Sequence, residues 1–120
     1  LSKVIEITPQ DHAAYDNRGI AKHKLEDYQG AMNDYNKALD IDPTNASTFN
    51  NRGITKHETR DYAGAIADYS KALEIDPLNA LAYANRSISK EEIGDKEGAA
   101  EDRNGARMMS DKDLKNILKK

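Results

Sequence analysis

A 34-residue period constrains this chain more than any other feature. The segments 12–45, 46–79 and 80–113 align without gaps, and the first two agree at about 19 of 34 positions. The residues at 1–11 read like the end of an earlier unit. Units of this length cannot bury an apolar face alone, so each must stack on its neighbours. The sequence therefore predicts a single repeat domain over 1–120.

Each unit has the pattern of two helices joined by a short turn. Residues recur at helical spacing on one face of each helix: Tyr15, Gly19, Lys22 and Leu25 on the first, and Met32, Tyr35 and Leu39 on the second. Asp27 is placed to cap the second helix, and Pro43 ends it, because proline disfavours helix in the residue before it. The small side chains of Gly19, Ala31 and Ala38 allow the two helices to cross closely. The pattern predicts an all-α fold of stacked antiparallel helix pairs.

Composition excludes several classes of protein. The chain has no Cys, which excludes a disulfide scaffold, thiol catalysis and Cys-based zinc sites. Its net charge of −3 argues against a nucleic-acid partner, which a basic surface would favour. No apolar run approaches the length of a membrane span, so no membrane partner is expected. The absence of Cys suits the cytoplasm and the periplasm alike. The compartment is therefore left open, with the cytoplasm slightly favoured.

Aromatic, small and proline residues recur at matching places in the two leading units. In the first unit they are Tyr15, Gly19, Tyr28, Ala31, Tyr35, Ala38 and Pro43; in the second they are Phe49, Gly53, Tyr62, Ala65, Tyr69, Ala72 and Pro77. This pattern resembles the tetratricopeptide repeat family over nearly the whole chain. The resemblance implies a right-handed α-solenoid in which the first helix of each pair lines an inner, concave groove. It also implies a non-enzymatic module for protein–protein interaction.

The charged positions depart from the family pattern. Lys22, and its equivalents Lys56 and Lys90, stand where family members often carry an aromatic residue. Each lies four residues after an arginine, on the same helix face: Arg18, Arg52 and Arg86. The second helix of each unit brings one aspartate: Asp34, Asp68 and Asp102. We expect each aspartate to pair with the arginine or lysine of its own unit; the alternative is a set of solvated surface charges.

The two ends of the chain differ in character. The third unit carries Ser87, Arg103 and Asp111 where the others have glycine, tyrosine and proline, as expected of a terminal repeat. A capping helix is predicted over 110–120 and overlaps the end of that unit. At the other end, 1–8 reads as a second helix that lacks its first. That open edge could accept another copy of the chain and form a homo-oligomer.

The inner face of the first helices carries two columns of recurring side chains. The first column is Asn17, Asn51 and Asn85; the second is Ile20, Ile54 and Ile88. An asparagine amide both donates and accepts, which matches the N–H and C=O groups of an extended peptide backbone. A similar asparagine ladder in O-GlcNAc transferase holds a chain in this way. The alternative is that the asparagines bond to the backbone of the neighbouring unit and that the isoleucines are half-buried between first helices.

Other residues of that face complete the predicted partner-binding set: Asp16, His23, Asn50, His57 and Glu91. Its charge changes along the array, from Lys24 and the histidines to Glu58, Glu91 and Glu92. A ligand with a basic or neutral end near the third unit is therefore favoured. The carboxylate clamp of co-chaperones is not expected. At its positions the chain has Asp16, Ile20, Asn51, Leu81 and Asn85, of which only Asn51 agrees.

Enzymatic readings find little support. No Gly-rich phosphate loop or nucleophile elbow is present, so we expect no catalytic residue and no cofactor. The three histidines, His12, His23 and His57, are interpreted as ordinary surface side chains rather than metal ligands. His23 and His57 are one repeat apart, a helix spacing of about 8–10 Å that argues against a shared metal. The recurring tyrosines are assigned to the core. The predicted function is binding of an extended peptide segment of a partner protein; the alternatives are a self-assembly scaffold and a regulatory domain of a larger protein.

Overall fold

The computed structural model describes residues 11–111, and the regular secondary structure in this part of the chain is α-helix joined by short turns. Its six helices are α1 (His12–Lys24), α2 (Tyr28–Ile41), α3 (Ala46–Glu58), α4 (Tyr62–Ile75), α5 (Ala80–Glu92) and α6 (Lys96–Ser110). Each helix packs against the next, and α3 also touches α1 and α5. The predicted all-α solenoid of helix pairs is therefore confirmed. The predicted tail at 1–11 and the capping helix at 110–120 lie almost wholly outside the described residues.

Asparagine and aspartate residues begin every helix. Each accepts a hydrogen bond from a backbone N–H in the first turn: Asp11, Asp27, Asn45, Asp61, Asn79 and Asp95. The predicted cap at Asp27 is confirmed, since its carboxylate accepts from the Gly30 N–H at 3.0 Å. Helix α2 ends two residues before Pro43, and α4 ends two residues before Pro77. These local signals set the helix boundaries independently of packing.

Close helix crossings depend on small residues facing tyrosine. The rings of Tyr35 and Tyr69 are 2% exposed. A Cβ atom added at Gly19 or Gly53 would lie 2.6 Å from the Cε1 atom of the tyrosine it faces. The third repeat has Ser87 at the glycine position and Arg103 at the tyrosine position. Both members of the glycine–tyrosine pair are therefore replaced in this repeat.

A buried aspartate in each repeat binds two cations from the first helix of the same repeat. Asp34 accepts from Arg18 Nε and Nη2, both at 2.8 Å, and its Oδ2 lies 3.2 Å from Lys22 Nζ. The same arrangement recurs in the other two repeats: Asp68 with Arg52 and Lys56, and Asp102 with Arg86 and Lys90. The three carboxylates are 3–4% exposed. The predicted pairing is confirmed, and the alternative of solvated charges does not hold.

The pKa values of these carboxyl groups reflect two opposing effects. Burial by itself raises the pKa of Asp34, but hydrogen bonds from Arg18 and Lys22 outweigh it and hold the pKa below its ordinary value. The same balance lowers the pKa of Asp102, through Arg86 and Lys90. Both carboxyl groups are therefore ionised in the folded protein at neutral pH.

The arginines also join neighbouring repeats. Arg52 Nη1 donates to Asn36 Oδ1 of the preceding repeat at 2.9 Å. Arg86 Nη1 donates to Ser70 Oγ at 3.1 Å in the same way. Between the repeats, Leu39, Phe49, Ala72, Leu73 and Ala82 form an apolar cluster. Ionic and apolar contacts therefore hold the register that places the first helices side by side.

The turn inside each repeat uses a left-handed backbone position. It is occupied by Glu26 (φ 63°), Arg60 (φ 68°) and Gly94 (φ 85°). A Cβ atom at Gly94 would meet nothing within 4 Å, so a substitution there changes only backbone strain. We expect Gly94→Ala to lower the free energy of unfolding by about 1 kcal/mol, measured by urea denaturation. Arg60→Gly, at the same position one repeat earlier, should leave stability unchanged or higher; a loss in both variants would contradict this account.

Candidate functional site

Two cavities lie one repeat apart along α1, α3 and α5. The first cavity, of about 150 Å³, is lined by Ile20, His23, Lys24, Tyr35, Asn51 and Ile54. The second cavity, of about 210 Å³, is lined by Ile54, His57, Glu58, Tyr69, Asn85 and Ile88. Each position of the first set recurs in the second one repeat later, and only Lys24 and Glu58 differ in residue type. We call this row of two cavities the groove.

The isoleucine column forms the apolar part of the groove. Ile54 lines both cavities and therefore separates them. Ile88, at the far end, is 53% exposed, and Leu81 on the same helix is 59% exposed. Ile20 and Ile54 are half-buried. The groove therefore offers apolar contact at regular intervals, and this contact is most open towards the third repeat.

The asparagines of the groove are held by side chains of the preceding repeat. Asn51 Nδ2 donates to Asp16 Oδ1 at 3.4 Å, and Asn85 Nδ2 donates to Asn50 Oδ1 at 3.2 Å. Each amide keeps one N–H and its Oδ1 for further bonds. Asn17 is exposed and lines neither cavity. Of the three asparagines in the expected column, only Asn51 and Asn85 line the groove, and the preceding repeat orients both of their amides.

The remaining predicted residues have different places. Asn50 is 3% exposed, so it supports Asn85 instead of presenting its own amide. Asp16 likewise serves as the acceptor for Asn51. Glu91 Oε2 lies 2.8 Å from Arg103 Nη1 of α6, and Glu91 lines neither cavity. These three residues support the groove or lie beside it.

The histidines are more deeply engaged than the sequence indicates. His23 Nδ1 lies 2.7 Å from Thr55 Oγ1, and His57 Nδ1 lies 2.8 Å from Ser89 Oγ. Thr55 and Ser89 belong to the following repeat and are fully buried. The expectation of ordinary surface histidines is therefore wrong: each ring is half-buried and bridges two repeats. The sequence signal that could have revealed these contacts is a hydroxyl side chain, Thr55 and then Ser89, at the same helix position of successive repeats.

Tyr35 and Tyr69 contribute to the cavities as well as to the core. Burial raises the pKa of Tyr35 to about 12, with a further contribution from Asp16, whereas a hydrogen bond with Thr55 lowers it. Burial also raises the pKa of Tyr69, which bonds to Ser89. Both phenols are therefore neutral at physiological pH. The sequence assigned these tyrosines to packing alone, because helical spacing does not show that a core ring also lines a cavity.

Residues 11–111 contain neither a metal-ligand cluster nor a membrane-spanning helix. In that part of the chain, no group of three His, Cys, Asp or Glu residues is arranged to hold a metal ion. None of its helices is long and apolar enough to cross a membrane. His12, which the sequence lists with the other two histidines, has Nε2 at 3.8 Å from Asp42 Oδ2.

Two family models match parts of this chain. Residues 21–60 match a family model described as TPR repeat, and residues 46–79 match one described as Tetratricopeptide repeat. Residues 21–79 are therefore recognised as tetratricopeptide repeats. Tetratricopeptide repeats form a protein-interaction fold that is generally non-enzymatic. No curated protein matches the chain.

Several solved structures are similar to this one. The crystal structure of MamA has a TM-score of 0.85 at 21% identity, covering 90% of this chain and 63% of MamA, so the chain spans less than two thirds of that protein. The Arabidopsis OM64 TPR domain has a TM-score of 0.80 at 27% identity, covering 90% and 91%. The first TPR of Spaghetti (RPAP3), bound to the HSP90 peptide SRMEEVD, has a TM-score of 0.82 at 22% identity, covering 97% and 94%.

Proposed function

We propose that the groove binds an extended segment of a partner protein. The observation that carries this proposal is the repetition of one cavity, with the same isoleucine, histidine, tyrosine and asparagine lining, at consecutive repeats. A peptide backbone presents its N–H and C=O groups at regular intervals. An open, half-apolar cavity that recurs at regular intervals therefore suits an extended peptide. We also propose that the chain has no catalytic site, no cofactor and no nucleic-acid partner.

Asn51 and Asn85 are the groups that would hold the peptide backbone. Each uses one amide N–H on the preceding repeat, which fixes the orientation of the amide before a ligand arrives. Pre-orientation lowers the entropy that binding must remove. The remaining N–H and Oδ1 can bond to a peptide C=O and N–H, whatever the side chains of that peptide are.

A free acidic C-terminus is a less suitable ligand than an internal segment. The Spaghetti (RPAP3) domain holds the peptide SRMEEVD, which ends in a carboxylate beside acidic residues. Of the clamp positions, this chain retains Asn51 alone, since Asp16 is acidic and Leu81 is apolar and exposed. Asp16 would repel a terminal carboxylate. We therefore propose an internal segment, and SRMEEVD serves as a negative probe.

Asn51→Ala should weaken binding of peptides selected on an array of overlapping natural segments. The loss should be about 1–3 kcal/mol, because a buried peptide group loses its hydrogen-bond partner. Affinities are measured by fluorescence anisotropy on each selected peptide. Asn51 is the preferred site because its partner Asp16 is only half-buried and can be solvated in the variant.

Asn17→Ala is the matched control, since Asn17 belongs to the same column but lines neither cavity. It should leave the affinity unchanged. Equal affinities in wild type, Asn51→Ala and Asn17→Ala would refute the role of the asparagines in this groove.

The alternative of self-assembly through the N-terminal edge depends on residues 1–10, which lie outside the described part of the chain. It stays a prediction, as does the role of a regulatory domain in a larger protein. Light scattering over a concentration series separates self-assembly from peptide binding, because only self-assembly increases the mass of the protein alone.

A further inference from the structure

We infer that the groove selects a segment carrying a glutamate and a lysine or arginine three residues apart, in a polyproline II conformation. The glutamate occupies the first cavity, beside Lys24, and the basic residue occupies the second, beside Glu58. This inference rests on the proposed function and adds the chemistry of the ligand to it.

The two cavities are copies of each other with opposite charge. Lys24 and Glu58 stand at equivalent positions, one repeat apart, and both are exposed. Neither makes a salt bridge with any residue between 11 and 111. Their charges are therefore available to a ligand, and they favour opposite charges on it.

The surrounding charges strengthen this polarity. Glu92 continues the column one repeat after Glu58 and is exposed without a salt bridge inside the described range. Glu91, by contrast, is neutralised by Arg103. Asp16 Oδ1 lies 3.4 Å from Nδ2 of Asn51, which lines the first cavity. Asp16 nevertheless stands eight residues before Lys24 on α1, about 12 Å along the helix axis. The first cavity is thus locally basic at its Lys24 end, and the groove becomes acidic from Glu58 onwards.

The lining of the cavities suits long charged side chains rather than short ones. Each cavity has isoleucine and tyrosine walls and one charged residue. Glutamate, lysine and arginine pack an aliphatic stem against such walls while the charged head stays near solvent. The cavity beside Glu58 is the larger of the two, which fits the longer basic side chain.

The spacing of the cavities selects the backbone conformation. Helices α1 and α3 are in contact, so equivalent points on them lie about 8–10 Å apart. In polyproline II, residues i and i+3 project from the same side and lie about 9 Å apart. In a β-strand, residues on one side lie about 7 or 13 Å apart, which matches neither. A polyproline II segment therefore places two side chains in successive cavities without distortion.

The test uses fluorescein-labelled proline-rich peptides that contain one glutamate and one lysine three residues apart, in both chain orders. Because the asparagines orient the backbone, one order should bind about tenfold tighter than the other. Peptides with two glutamates or two lysines, or with the charges four residues apart, should bind more weakly than the preferred order. The preference should shrink in about 1 M salt, where exposed charges are screened.

The exchange variant Lys24→Glu/Glu58→Lys reverses the polarity of the groove and should reverse the preferred order. The control exchange Lys71→Glu/Glu74→Lys has the same composition but inverts an ion pair on α4, away from both cavities. It should leave the preference as in the wild type.

The outcomes separate the two proposals. If Asn51→Ala weakens these peptides but charge order has no effect, the charge inference is refuted and peptide binding in the groove is retained. If no peptide binds up to millimolar concentration, the charge inference is refuted as well. The array experiment then decides the proposed function independently.

Discussion

Asp102→Asn lowers the free energy of unfolding by about 3 kcal/mol near neutral pH, among the largest effects we expect from one substitution. Removing the carboxylate charge leaves Arg86 and Lys90 without their counter-ion, and both cations are only 19% exposed. Breaking one side of a buried ion pair costs about 3–5 kcal/mol, and partial exposure of the cations favours the lower end. Urea denaturation measures the difference. Glu101→Gln, an exposed carboxylate on the same helix, should change stability by less than about 0.5 kcal/mol.

The effect of Asp102→Asn should disappear in acid. Hydrogen bonds with Arg86 and Lys90 hold the pKa of Asp102 below its unfolded value of about 3.9. The folded state therefore binds fewer protons than the unfolded state, and the ion pairs stabilise the protein fully above that unfolded value. This stabilisation is lost as the pH falls through the folded pKa. Wild type and variant should then converge in stability, and a difference that persists unchanged in acid would assign the loss to packing instead of charge.

The elements of the fold that are encoded locally could be predicted from the sequence. The caps at Asp27 and Asp61 and the stops at Pro43 and Pro77 act within one turn of their own helix. The pairing of Asp34 with Arg18 and Lys22 could also be predicted, because these residues recur together in every unit and belong to one helix pair. Because the sequence repeats every 34 residues, each of these predicted caps, stops and ion pairs is expected again in the next repeat.

The contacts between repeats could not be predicted from that period. Alignment at 34 residues places Asn17, Asn51 and Asn85 in one column, but the hydrogen bonds join residues 35 positions apart. The histidines bond across 32 positions. These offsets arise from the tilt and rotation of one helix pair on the next, which depend on the whole interface. Alignment of the repeats therefore brings the asparagines and isoleucines into columns, but it does not identify the side chains that orient the asparagines.

Tyr69→Ala is the second large effect, with an expected loss of about 3–5 kcal/mol in the free energy of unfolding. The Tyr69 ring is 2% exposed and fills the space against Gly53 of the facing helix. Its removal leaves a cavity between α3 and α4 that the rigid helix pair cannot close. Thermal and urea denaturation of the variant measure the loss. Tyr69→Phe keeps the ring and removes only the hydroxyl that bonds to Ser89, so it should cost about 1 kcal/mol.

Gly53→Ala tests the same contact from the opposite side, and its effect should change sign with the residue at position 69. In the wild type the new Cβ would lie 2.6 Å from the ring of Tyr69. Overpacking costs about 1–3 kcal/mol, and it exceeds the gain of about 1 kcal/mol that alanine brings to a helix. In the Tyr69→Ala background the ring is absent, so only the helix gain remains and Gly53→Ala should stabilise the protein. Ser87→Ala, at the equivalent position of the third repeat, adds no atom to the core and removes only the hydroxyl that donates to Ala84 O at 2.6 Å, so it should change stability by about 1 kcal/mol or less. An equal cost of Gly53→Ala in both backgrounds would show that the tyrosine ring does not require glycine at the helix crossing.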